Sequence, residues 1–288
     1  MRTLVLLFSG VLAAQDFGEV KVERVSGSHK FTEGPVWSKE GFLLFSDVPD
    51  NLIYKVDTKG KSVFRDKSNG ANGNTYDAQG RLLTCEYRSR RVIRQEKNGN
   101  ITVLAERFEG KRLNAPNDIV ARKDGHIYFT DPAFGDQAAG RELDFYGVYH
   151  LPPKGELELV AKPAGRPNGI ALSPNGRILY VANSDERNVR AYDVDGKGAT
   201  TNERVLVQGI DGVPDGMKVD EKGNLYVTAN GVAIYSPQGK HLTTIEIPET
   251  PANAAFGDGD MMTLYVTART SVFRLRLPLK GSVQYPVD

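Results

Sequence analysis

Short apolar runs rich in β-branched and aromatic residues recur along the chain, each opened by a polar turn centred on glycine. The copies are KEGFLLFSD (39–47), AQGRLLTCE (78–86), KDGHIYFTD (123–131), PNGRILYVAN (174–183) and EKGNLYVTAN (221–230), with a degraded sixth, GDGDMMTLYVTA (257–268). Their glycines, Gly41, Gly80, Gly125, Gly176, Gly223 and Gly259, are 39, 45, 51, 47 and 36 residues apart. Glycine supplies the positive φ of a tight hairpin, and the runs that follow read as strands. A second strand-like run usually comes next, as in Leu52-Ile53-Tyr54-Lys55-Val56, and often a third, as in Ile101-Thr102-Val103-Leu104. With the strand ahead of each glycine this makes four strands per module of about 44 residues, the size of a propeller blade. No amphipathic helix of three turns interrupts the pattern. The spacing therefore predicts an all-β fold, a six-bladed β-propeller with four-stranded blades.

The last module runs out after two or three strands, near residues 272–275, while residues 20–25 (VKVERV) form a strand ahead of module one. That strand is expected to close the ring as the outer strand of the last blade, which removes exposed sheet edges. The longest irregular stretch, residues 132–146, follows a strand end and is either a substrate loop or a plain surface excursion.

Counting eight residues back from five of the turn glycines gives Glu33, Asn72, Asn117, Asn168 and Asp215; in the sixth module Asn253 stands six residues ahead of Gly259. Every module thus carries a carboxylate or amide just before its first strand. Rotation about a propeller axis brings such positions together at the central channel. Asn and Asp also favour turns before strands for local reasons, but a glutamate in the same slot has no such preference. An all-oxygen set with two acids suits a hard cation, calcium first, since calcium takes six to eight oxygens in flexible geometry. Zinc would be expected to recruit histidine or cysteine. His29, His126, His150 and His241 fall in none of the slots, and His126, beside Gly125, reads as an exposed turn residue. Magnesium, manganese and zinc stay open as substitutes.

Composition narrows the classes. With 37 basic and 36 acidic side chains the formal charge is +1, so nothing suggests a nucleic-acid partner or an acidic membrane surface. Cys85 is the single cysteine, which rules out an internal disulfide, and its apolar run reads as buried core. No Gly-x-Ser-x-Gly elbow or phosphate-binding glycine loop is present. Residues 1–14 combine Arg2, an apolar run and small residues ending at Ala14, as in a secretory signal peptide, and are too short for a membrane span of ~20 residues. A packed apolar N-terminus is the alternative. The expectation is an exported protein, periplasmic or secreted, with the propeller over residues 15–288.

The same positions carry a family resemblance. Glu33-Gly34-Pro35-Val36-Trp37, Asn114-Ala115-Pro116-Asn117-Asp118, the run from Asp124 to Pro132, Arg166-Pro167-Asn168-Gly169-Ile170 and Pro214-Asp215-Gly216-Met217 are individually short. In this order they resemble the SMP-30/gluconolactonase/luciferin-regenerating family over nearly all of the mature chain. The resemblance implies one divalent ion in the central channel, with Glu33, Asn168 and Asp215 as ligands and Asn117 as fourth ligand or substrate contact. It also implies hydrolysis of sugar-type lactones, some members acting on organophosphates. The animal sugar-lactone branch holds an arginine where this chain has Ala115, which bears on the substrate and not on the ion.

On that basis a metal-assisted ester hydrolase is expected. The ion would polarise the lactone carbonyl, and Asp215 leads as general base with Asp118 as runner-up. Asn72 and Asn117 would contact substrate, and Phe134, Arg141 and Tyr146 would line the mouth. Two competing readings keep the fold: a phosphotriester hydrolase at the same ion, or a non-catalytic binding platform with a structural ion.

Overall fold

The computed structural model describes Phe17 and residues 20–287, so the leader at residues 1–14 lies outside the described residues. Six four-stranded antiparallel sheets follow one another as blades. Their first strands are Thr32–Ser38, Ala71–Tyr76, Ile119–Ala121, Pro167–Leu172, Met217–Val219 and Pro251–Gly257. Each first strand touches those of the blades on either side in one closed cycle, and together they line the central channel. One 3₁₀ turn, Gly135–Ala138, is the only helix among the described residues.

Ring closure follows the sequence reading. Glu23–Ser26 pairs antiparallel with Ser271–Arg276 as the outer strand of blade 6, and Arg274 donates two N–H groups to Glu23 Oε2 at 3.1 and 3.0 Å. Second strands are almost wholly buried, with apolar residues over most of their length, because neighbouring blades cover both faces. Leu43, Leu44, Phe45, Tyr128, Phe129, Tyr226 and Val227 are all fully buried. The fourth strand of blade 1, Gly60–Arg65, is mostly exposed.

Two local expectations are corrected. Gly41, Gly80, Gly125, Gly176 and Gly223 take positive φ, but in module six that conformation belongs to Asp258 and Met261, not Gly259. His126 is not a solvent-facing turn residue. It is buried, its Nδ1 is 2.7 Å from His150 Nε2, and its ring stacks on that partner. The turn glycine leaves room for the blade 4 hairpin to cover it, since Gly198 packs directly against both rings.

Beyond blade 6 the chain crosses the far face of the ring. Gly281 bridges Asp220, Ser282 N donates to Val219 O, and Gln284 Nε2 donates to Pro174 O at 3.1 Å. Residues 282–285 thereby cover the lower mouth of the channel, leaving a narrow cavity of about 50 Å³ between this tail and the first strands.

Candidate active site

Backbone pairing is irregular at each predicted slot. In blades 1, 2, 4 and 6 the pairing of first and second strands slips beside the slot: between Glu33 and Val36, Ala71 and Asn74, Pro167 and Ile170, and Pro251 and Asn253. A bulge of this kind re-aims a side chain and bends the strand. In blades 3 and 5 the ladder begins only after the slot. There the N–H groups of Asn117 and Asp215 donate to Thr130 O at 2.8 Å and Thr228 O at 2.9 Å. Glu33, Asn72, Asn117, Asn168 and Asn253 are buried and Asp215 is half-buried.

Neighbouring blades are stitched together at this level, which we term the hub. Gly73 N donates to Asn117 O (2.8 Å), Gly169 N to Asp215 O (2.9 Å) and Gly216 N to Ala252 O (2.7 Å). Ser46 Oγ donates to Asn72 O and Thr130 Oγ1 to Asn168 O. A Cβ on Gly34 would collide with Asn72 O, and one on Gly169 with Asp215 O, so the residue after the slot must be glycine where backbones meet this closely. Blade 3 departs from the pattern. Where blades 1, 2, 4 and 5 have Gly34, Gly73, Gly169 and Gly216, blade 3 has Asp118, which brings a third carboxylate into the hub. Its Oδ1 accepts from Ile119 N at 2.9 Å, and its Oδ2 from Asn253 Nδ2 at 3.3 Å and Ile170 N at 3.4 Å.

The hub is electrostatically strained. Burial and then the Asp118 charge push the Glu33 carboxyl well above its ordinary range, against hydrogen bonds from Gly34 N and the Asn253 amide and the attraction of Lys218. Asp215 is raised further by burial, by Glu33 and by Asp118, with a hydrogen bond to Asn168 opposing the shift. Desolvated like charges that raise one another disfavour the doubly ionised state. A cation between them would relieve this. Two further observations fit such a group: the donors are all oxygen, and Asn72 Oδ1 is buried without a hydrogen-bond partner. Among the described residues, no three His, Cys, Asp or Glu side chains are placed to hold an ion. Amide oxygens would therefore have to complete the shell.

Two residues that sequence reasoning passed over complete the surroundings. Lys218 is half-buried on the first strand of blade 5, and its Nζ donates to Met217 O at 2.9 Å and Asn253 Oδ1 at 3.1 Å. Asp131, buried at the end of the second strand of blade 3, accepts from Asn114 N (2.8 Å) and Ala115 N (2.7 Å). It thereby holds the segment that delivers Asn117 and Asp118, and burial pushes its carboxyl up to about 7. Lys218 could have been noticed as a charge inside a channel-lining strand. Asp131 is legible only as the final letter of KDGHIYFTD.

Residues 132–146 join the second and third strands of blade 3 on the hub side. The loop is pinned at several points: Asn114 Nδ2 donates to Phe145 O at 2.9 Å, Arg90 Nη1 to Gly140 O at 3.2 Å, and Arg112 N to Glu142 at 2.8 Å. Phe134 lies under the Arg166 guanidinium (4.6 Å) and Tyr146 under that of Arg141 (4.7 Å). Arg166 is ion-paired with Asp185 and stands two residues ahead of Asn168, the blade 4 slot. The structure gives Arg141 and Tyr146 no contact with a hub side chain.

Comparison with known proteins agrees with this architecture. The model of the SMP-30/Gluconolactonase/LRE-like region matches residues 31–270. A gluconolactonase of Zymomonas mobilis is 35% identical over 90% of this chain and 82% of its own length. A regucalcin of Xenopus laevis is 30% identical over 86% and 87%. Among solved structures, a gluconolactonase of Xanthomonas campestris superposes with a TM-score of 0.85 at 32% identity, covering 93% of each chain.

Proposed function

Because the chain belongs to the SMP-30/gluconolactonase/LRE-like family, we propose that it is a hydrolase of sugar-type lactones that works at the hub. Glu33, Asn117, Asn168 and Asp215 would hold one divalent cation, calcium first, with magnesium, manganese or zinc as substitutes. The observation that carries this reading is the acid pair Glu33 and Asp215, both raised by desolvation and by the charge of Asp118, with amides beside them. When bound, the ion supplies Lewis-acid polarisation of the carbonyl and a water of lowered pKa.

The chain's own residues divide the rest. Asp215 is the general base: a carboxylate beside the ion can take a proton from the attacking water. Asp118, fixed by three donors, is less free to move and orients the site; it is the second candidate for the base. Asn72, with its bare oxygen, accepts from a lactone hydroxyl, and Asn117 contacts the ring. Phe134 and the Arg141–Tyr146 pair edge the mouth. The leader at residues 1–14 would export the enzyme to the periplasm or beyond.

The test uses purified protein on a panel of aldonolactones and a phosphotriester, before and after chelation. Lactone opening lost on chelation and restored by calcium is expected. Calcium binding with no ester or lactone turned over would favour a binding platform, and phosphotriester turnover alone would move the substrate class.

A further inference from the structure

Of the six slot residues, Asn253 is held differently from the rest. Its Oδ1 accepts from Ala254 N at 2.8 Å and from Lys218 Nζ at 3.1 Å. Both lone pairs of an amide oxygen are then occupied. Its Nδ2 consequently turns to the acids, donating to Asp118 Oδ2 at 3.3 Å and hydrogen-bonding Glu33. Asn72 presents the opposite case, an amide oxygen buried with no partner. The rotationally equivalent slots are therefore not chemically equivalent, and the lysine beneath blade 6 accounts for the difference.

We propose that Lys218 is a positioning residue of the hub: by occupying Asn253 Oδ1 it turns the amide nitrogen toward the carboxylates and keeps that side of the cation site free of a protein oxygen. The inference rests on the reading of the hub as a cation site. Lys218 suits the task because its stem lies along the apolar cavity below the hub while its ammonium stays at the polar level, as long cationic side chains do. Its second bond, to Met217 O, fixes the ammonium on its own strand. A fixed positive charge beside a divalent site also weakens ion binding, so Lys218 exchanges affinity for an open position.

This makes an unusual prediction of sign. In calorimetric titrations of the full-length protein with calcium, Lys218→Met should bind roughly tenfold tighter, the scale expected when one unit charge leaves a partly buried site. Its lactone turnover should fall. Lys218→Arg should stay near wild type. A lysine that merely packs would, when replaced, leave calcium affinity unchanged or weaken it, and either result overturns the inference. Should Lys218→Met fail to fold, Asn253→Leu decides: loss of calcium affinity there would make Asn253 a ligand and sink the proposal, whereas undiminished affinity upholds it. Glu33→Gln separates the two levels. If it binds calcium as wild type does, the hub reading itself is wrong; if it binds weakly while Lys218→Met is not tighter, only the role of Lys218 fails.

Discussion

The six channel-lining strands end in two unlike places. At their starts stand Glu33, Asn72, Asn117, Asn168, Asp215 and Asn253, each beside a bulge or a delayed pairing. Further along the same strands the channel is walled by Val36, Ile119, Ala121, Leu172, Val219 and Phe256 and closed by the tail at residues 282–285. One end gathers desolvated acids that oppose one another; the other is ordinary apolar packing with a peptide across it. The contrast separates two tasks that a propeller could have mixed. The opposing acids are gathered at the slot end, and apolar packing fills the other.

The sharpest way to break this separation is to neutralise the slot end. Asp215→Asn should lower lactone turnover by about 10³-fold, within the range for a lost general base. The ion-free protein should melt no earlier, because one of the opposing acids has gone. Wild-type rates in that variant would remove Asp215 from the chemistry. Next comes the seam between blades. Gly169→Ala drives a methyl into Asp215 O and should cost about 3 kcal/mol in denaturant unfolding, the upper range for overpacking; a variant as stable as wild type would deny the close approach.

At the closed end, Tyr285→Ala removes a ring that lies edge-on to Tyr76. It should cost about 2 kcal/mol, less than a fully buried aromatic, with calcium affinity and KM unchanged. A shift in either would show that the two ends communicate. The last test reads pH dependence and concerns Asp131. A carboxyl raised to about 7 in the fold binds protons there that the unfolded chain releases from about pH 4 upward. Its contribution is therefore full below the unfolded pKa and lost as pH rises toward neutrality. Asp131→Asn should flatten that part of the stability–pH curve, and an unchanged slope would assign the dependence elsewhere.

The recurrence of turn, run and slot carried much of this to the surface of the sequence. Blade number and strand number follow from the repeat, and the closing strand, expected at 20–25 and found at Glu23–Ser26, follows from the incomplete last module. What stayed hidden belongs to single positions. Asp118 occupies a place that four other modules give to glycine, and this could have been read by aligning the residue after each slot. The burial of His126 could not, because it depends on Gly198 from the next blade. Nor could the tail, whose residues 282–285 carry no repeat.

Sequence alone thus determined that each module places a carboxylate or amide at the start of its channel-lining strand, because the repeat sets that position. Tertiary structure decided which atoms they show one another. The orientation of Asn253 depends on a lysine from the neighbouring blade, and the raised basicity of Glu33 and Asp215 depends on water being excluded around three acids far apart in the chain. Hydrogen-bond direction and desolvation arise only between packed neighbours.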